Sequence, residues 1–139
     1  MENTLIEIQN LKRYFETPSG SCKAVNGVDL KIKQGETFGL VGESGCGKST
    51  LVRTILKLIE PTSGKILLNG TDITGYEKEQ LRELRKRMSL VFQDPHSSLN
   101  PRMTVFDILS RPFKIRNLTN SNEEMMIEIV KLLKLMGMQ

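Results

Sequence analysis

Between Thr4 and Phe15 the chain alternates apolar and polar positions, with Leu5, Ile6, Ile8 and Leu11 as the inward-facing set. A period of two marks a strand with one buried face, so an edge or hairpin strand is expected here. Glu16 to Cys22 is rich in Pro, Gly and Ser and reads as a turn. A second alternation sets Val28, Leu30 and Ile32 against Asp29, Lys31 and Lys33, and Gln34-Gly35 stops it.

The period then changes. Thr37 to Val41, TFGLV, is apolar on both faces, as a central parallel strand is. Leu51, Ile55, Leu58 and Ile59 recur at helical spacing, and Pro61 closes that helix. KILLNGTDI, residues 65–73, predicts a short strand with an Asn69-Gly70 turn. Residues 77–88 predict a charged helix with Leu81, Leu84 and Met88 on one face; Glu83 and Arg87, at i,i+4, make its charge run a solvated face rather than a binding patch. SLVFQ, residues 89–93, is a second buried strand, and Asp94 to Met103 is a polar loop punctuated by two prolines. A short helix is expected near Val105 to Leu109 and a longer one from Glu123 to Met136, whose Met125, Met126 and Met136 read as core-packing residues. Antiparallel strands followed by alternating strands and helices predict a mixed α/β nucleotide-binding architecture.

Composition narrows the chemistry. The 139 residues suffice for one domain with a real core. A formal charge of +4 suits a phosphate-bearing ligand, but aromatics make up only 5% and Trp is absent, which argues against nucleic-acid binding as the main role. Cys22 and Cys46 have neither C-x-x-C nor zinc-ligand spacing, and His96 is the single histidine. The N-terminal stretch lacks a signal-peptide core and no run is long enough to cross a bilayer, so a cytoplasmic location is expected.

One segment carries specific chemistry. Gly42 to Ser49 fits G-x-x-x-x-G-K-[ST] without a mismatch, after an apolar strand pattern and before an amphipathic helix. Gly42, Gly45 and Gly47 let the backbone turn tightly with its N–H groups inward, forming an anion nest at a helix N-terminus. Within the loop 42–50, Ser44, Cys46 and Thr50 complete the cradle, Lys48 reaches the β- and γ-phosphates, and the Ser49 hydroxyl binds Mg²⁺. Cys46 itself reads as a small loop filler. No guanine-reading N-K-x-D is present. A nucleoside triphosphate with Mg²⁺ is the expected ligand, and the loop alone does not choose the reaction.

Taken with Ala24 to Ile73, and with VFQDPHSSLNPRMTVFDIL at residues 91–109, this loop resembles the opening half of an ABC transporter ATP-binding subunit of the oligopeptide/dipeptide importer type. PTSGKILLNG and FQDP are the family's marks, and SSLNPRMTV that of the peptide branch. The resemblance implies an incomplete P-loop NTPase fold: an antiparallel β subdomain, part of a parallel core sheet, and from about residue 104 the start of a helical subdomain. It implies that the nucleotide is ATP, that Gln93 is the Q-loop glutamine, near Mg²⁺ and the attacking water, and that Phe15, with Tyr14 as the close alternative, stacks on adenine. It implies that Asp94 to Met103 contacts membrane-spanning subunits at the cytoplasmic face of the membrane, and that a second ATP-binding subunit pairs with the complete protein. His96 then reads as an exposed loop residue rather than a ligand or a base.

Complete family members continue into L-S-G-G-Q, a strand ending in Asp-Glu, and a switch His, none of which occurs in residues 1–139. The 139-residue chain alone is therefore expected to bind ATP and hydrolyse it poorly. A stand-alone nucleotide-binding module is the alternative reading. FQDPHSSLNP argues against a small kinase.

Overall fold

A computed structural model describes residues 3–18, 20–94 and 98–138. They form two compact units, residues 1–88 and 89–139.

In the first unit, β1 (Thr4–Thr17) and β2 (Gly20–Lys33) make a long antiparallel hairpin. The expected Glu16–Cys22 turn shrinks to its tip, because strand pairing continues to Thr17 opposite Gly20. After β2 come α1 (Lys48–Ile55), β3 (Ser63–Leu68), β4 (Thr71–Asp72) and α2 (Lys78–Arg87). The sheet order is β2-β1-β3-β4, all antiparallel. Asn69 and Gly70, both at positive φ, form the expected two-residue turn between β3 and β4.

The core of this unit joins Ile8, Leu11, Val25, Ile66 and Leu68 of the sheet to Leu51 and Ile55 of α1 and Leu84 of α2. Ile8 and Leu11 are three apart, which strict alternation would send to opposite faces. A register shift between them, with Asn10 at φ 46°, inserts the extra residue that turns both inward. The neighbouring strand closes tightly on that bulge. A Cβ on Gly64, itself at positive φ, would lie 2.4 Å from the Asn10 carbonyl oxygen.

Helix α1 stops sooner than the apolar spacing predicts. Lys57 takes a left-handed conformation, φ 53°, and its N–H and that of Leu58 donate to the Thr54 and Arg53 carbonyls in a Schellman closure. A non-glycine residue there costs about 1 kcal/mol. The buried Lys57 ammonium offsets it by donating to the Thr74 carbonyl at 2.6 Å and to the Glu60 carboxylate. Leu58, assigned to the helix by its spacing, is half-exposed beyond this stop. On α2, Glu83 pairs with Lys86 at 2.7 Å on the solvated side, one turn position short of the Arg87 expected.

The second unit contains α3 (Val105–Arg116) and α4 (Asn122–Leu135). The Thr104–Asp107 capping box starts α3, which runs through Pro112 well past Leu109. Of the three methionines read as core, Met125 is buried beside Ile129, whereas Met126 and Met136 are exposed and Met136 lies beyond the last helical turn.

Thr37–Val41 and Ser89–Gln93, expected as buried parallel strands, belong to no sheet among the described residues. Val41 and Val91 are almost fully exposed, at 94% and 89%. A strand exists through its ladder, and no described segment supplies one to either run.

The Asp107 carboxylate accepts from the Thr104 hydroxyl and backbone N–H, which hold its pKa below the usual carboxylate range. The unfolded chain therefore takes up this proton more readily than the folded one. The contribution is full above about pH 4 and is lost as the pH falls through the lower, folded value. Circular dichroism of Asp107→Asn is expected to show a flatter acid dependence of helix content than the parent chain. Superimposable acid profiles would count against the capping box as a source of stability.

Candidate nucleotide-binding site

The loop 42–50 hangs between an irregular segment and α1. Gly47 caps α1 at φ 96°, with no side chain bonded to the first-turn N–H groups and no acidic residue in that turn. Those amides and the helix dipole are left to attract an anion. Lys48 folds back over the loop: its ammonium donates to the carbonyls of Gly42 at 2.7 Å and Glu43 at 2.6 Å, and to Cys46 Sγ at 3.5 Å. Carbonyl dipoles and a thiol are weak partners for a full charge, so phosphate oxygens would compete well for it. A Cβ on Gly42 would lie 2.9 Å from Cys46 Sγ but 3.8 Å from the nearest Lys48 atom, so the glycine makes room for the thiol rather than for the lysine. Ser44, Gly45 and Ser49 are exposed around the loop, while Thr50 is half-buried and its carbonyl accepts from the buried Thr54 hydroxyl at 2.8 Å.

The loop is anchored to the hairpin at both ends of α1. A Cβ on Gly47 would stand 2.0 Å from the Ala24 carbonyl oxygen, so backbone packs directly on β2. Beyond α1, three hydrogen bonds lace the chain to β1: Arg13 Nη1 to the Glu60 carbonyl at 3.0 Å, Thr62 N–H to the Lys12 carbonyl at 2.8 Å, and Tyr14 N–H to Thr62 Oγ1 at 2.9 Å. Tyr14 and Phe15 sit in the same stretch of hairpin, paired with Lys23 and Cys22, next to Ala24. The two aromatics differ in their engagement. The Tyr14 hydroxyl donates to Asn26 Oδ1, whereas the Phe15 ring carries the Arg13 guanidinium 4.4 Å from its centroid.

Sequence reasoning passed over Arg13, Ala24 and Lys57. Arg13 left a faint signal, a cation two residues before an aromatic on one strand. Ala24 left none, because its role is a backbone contact.

Gln93 is exposed and belongs to the second unit, in irregular backbone rather than at a strand end. In the loop that follows, Asn100 accepts through its side chain from Arg102 N–H at 3.0 Å and through its carbonyl from Met103 N–H at 3.1 Å. His96, with Pro95 and Ser97, lies outside the described residues. No group of three His, Cys, Asp or Glu side chains among the described residues could hold a metal. No helix among them is long and apolar enough to cross a membrane.

The family profile for ABC transporters matches residues 25–139. This chain belongs to the ABC transporter family. It is 45% identical over 139 residues to the oligopeptide transport ATP-binding protein OppF of Bacillus subtilis, covering 99% of this chain and 46% of that protein. It is likewise 45% identical over 130 residues to AppF of the same organism, an oligopeptide transport ATP-binding protein, covering 88% and 40%. The chain thus spans less than half the length of these ABC relatives. Among solved structures, the ATP-binding cassette MJ0796, in a dimeric post-hydrolysis state with ADP and Pi, superposes with a TM-score of 0.81 at 25% identity over 97% of this chain and 58% of that one. The expected fold class holds: this is part of an ABC cassette, antiparallel sheet and helices included.

Proposed function

We propose that this chain binds ATP on the loop 42–50 and forms part of the ATP-hydrolysing subunit of an importer for peptides or similar small solutes. The observation that carries the reading is the conjunction of an uncapped α1 N-terminus with the Lys48 ammonium turned over it. The amides of Gly45 to Ser49 and Lys48 bind the phosphates, and Phe15, or failing it Tyr14, takes the adenine. The Ser49 hydroxyl, exposed at the start of α1, fits a Mg²⁺ ligand, with phosphate oxygens as further ligands. Mg²⁺ in such a site neutralises charge developing on the transferred phosphoryl group. Gln93 orients the attacking water in the complete subunit.

The family resemblance and the oligopeptide-transport relatives support a peripheral place at the cytoplasmic face of the membrane, with Asp94 to Met103 against membrane-spanning subunits and a second ATP-binding subunit as partner. Equilibrium titration of the chain with MgATP is the direct test. Saturable binding with AMP a much weaker competitor than ADP is expected, because the nest grips the outer phosphates. Equal competition by AMP would overturn it. In the complete subunit, Gln93→Ala is expected to leave ATP affinity within about twofold and to lower turnover by roughly 10²-fold or more. A parental turnover rate would remove Gln93 from the mechanism.

A further inference from the structure

The hairpin aromatic is useful only if its ring is held still at a fixed distance from the phosphate loop. A phenylalanine at the end of a half-exposed hairpin has free rotation about its side-chain bonds, and freezing it on binding costs affinity. In this fold something already holds it. The Arg13 guanidinium lies over the Phe15 ring, 4.4 Å from the centroid, within the range where the ring quadrupole attracts a cation. The guanidinium is itself fixed, since Nη1 donates to the Glu60 carbonyl at 3.0 Å while Nε is buried with no hydrogen-bond partner. A buried Nε without a partner is costly. Its retention fits a guanidinium seated against the ring rather than placed to maximise hydrogen bonds. Glu60 lies on the segment that leaves α1, the helix whose first turn is the phosphate site.

We propose that Arg13 is a positioning residue for the nucleotide base: it clamps one face of Phe15, ties that ring to the chain leaving α1, and leaves the other face to the base. The guanidinium also draws electron density from the ring, which favours stacking of an electron-rich purine on the far side. This rests on the reading of Phe15 as the adenine platform. Tyr14 is held differently, by its hydroxyl on Asn26 and with Lys23 5.8 Å from its ring centroid.

A double-mutant cycle read with two probes, MgATP and inorganic tripolyphosphate, decides the matter. Arg13→Gln is expected to weaken MgATP binding about two- to five-fold and leave tripolyphosphate binding unchanged. In a Phe15→Ala background the same substitution should cost nothing further. Arg13→Lys, which keeps the cation without the planar fork, serves if the glutamine variant fails to fold and should show the same pattern with a smaller loss. Equal weakening of both probes would make Arg13 merely structural and overturn the inference. If Phe15→Ala weakens MgATP binding while both Arg13 variants are neutral, the platform stands and the role of Arg13 falls. If Phe15→Ala leaves MgATP affinity unchanged, the platform reading falls and takes this inference with it.

Discussion

Lys48→Ala is expected to weaken MgATP binding by about two orders of magnitude while leaving the melting temperature nearly unchanged. The ammonium now bonds two loop carbonyls and a thiol, all exposed to water, so its loss costs the folded chain little. Toward phosphate the position is different. A hydrogen bond to a charged group contributes about 1.5–3 kcal/mol, and an ammonium between two phosphates makes more than one. Loss of about 2.7 kcal/mol corresponds to roughly a hundredfold in affinity. Titration calorimetry with MgATP on parent and variant measures it. An affinity within twofold of the parent would remove the phosphate clamp and the proposed function with it.

The second large effect is expected at Gly47, and it is one of stability. An alanine Cβ there would sit 2.0 Å from the Ala24 carbonyl oxygen, in a backbone conformation of φ 96° that side-chain-bearing residues avoid. Backbone strain of about 1–2 kcal/mol adds to about 1–3 kcal/mol for forcing α1 off β2. For a unit of this size such a loss, about 2–5 kcal/mol, lowers the melting temperature by roughly 10–40 °C. Gly45 is the internal control. It also has positive φ, 82°, but its Cβ would meet nothing within 4 Å, so Gly45→Ala is expected to cost about 1 kcal/mol. Equal melting temperatures for the two variants would show that the Ala24 contact does not hold the loop.

The two glycines also mark the limit of what could be read from letters. Both lie in the phosphate loop at positive φ, and packing sets the cost of a side chain at each. The strand alternations, the Asn69-Gly70 turn, the charged helix with Leu84 inward and the glycine-rich loop that opens α1 were legible because each follows from local physics: side-chain period and the stereochemistry of turns and helix starts. The early end of α1 was not legible, since it depends on Lys57 finding the Thr74 carbonyl seventeen residues away. Nor was the joint inward turn of Ile8 and Leu11, which a bulge at Asn10 produces and the close approach of Gly64 accommodates. Apolar character alone led Thr37–Val41 and Ser89–Gln93 to be read as strands, but hydrophobicity cannot provide the neighbour whose backbone completes a ladder.

By itself the sequence supplied the reasons for proposing a nucleoside triphosphate as the ligand, through a loop of nine consecutive residues, 42–50. Only the tertiary structure decided how that loop is held against the hairpin and which side chain steadies Phe15. Those are contacts between segments distant in the chain, made by carbonyls, a glycine and a guanidinium whose partners no local pattern announces.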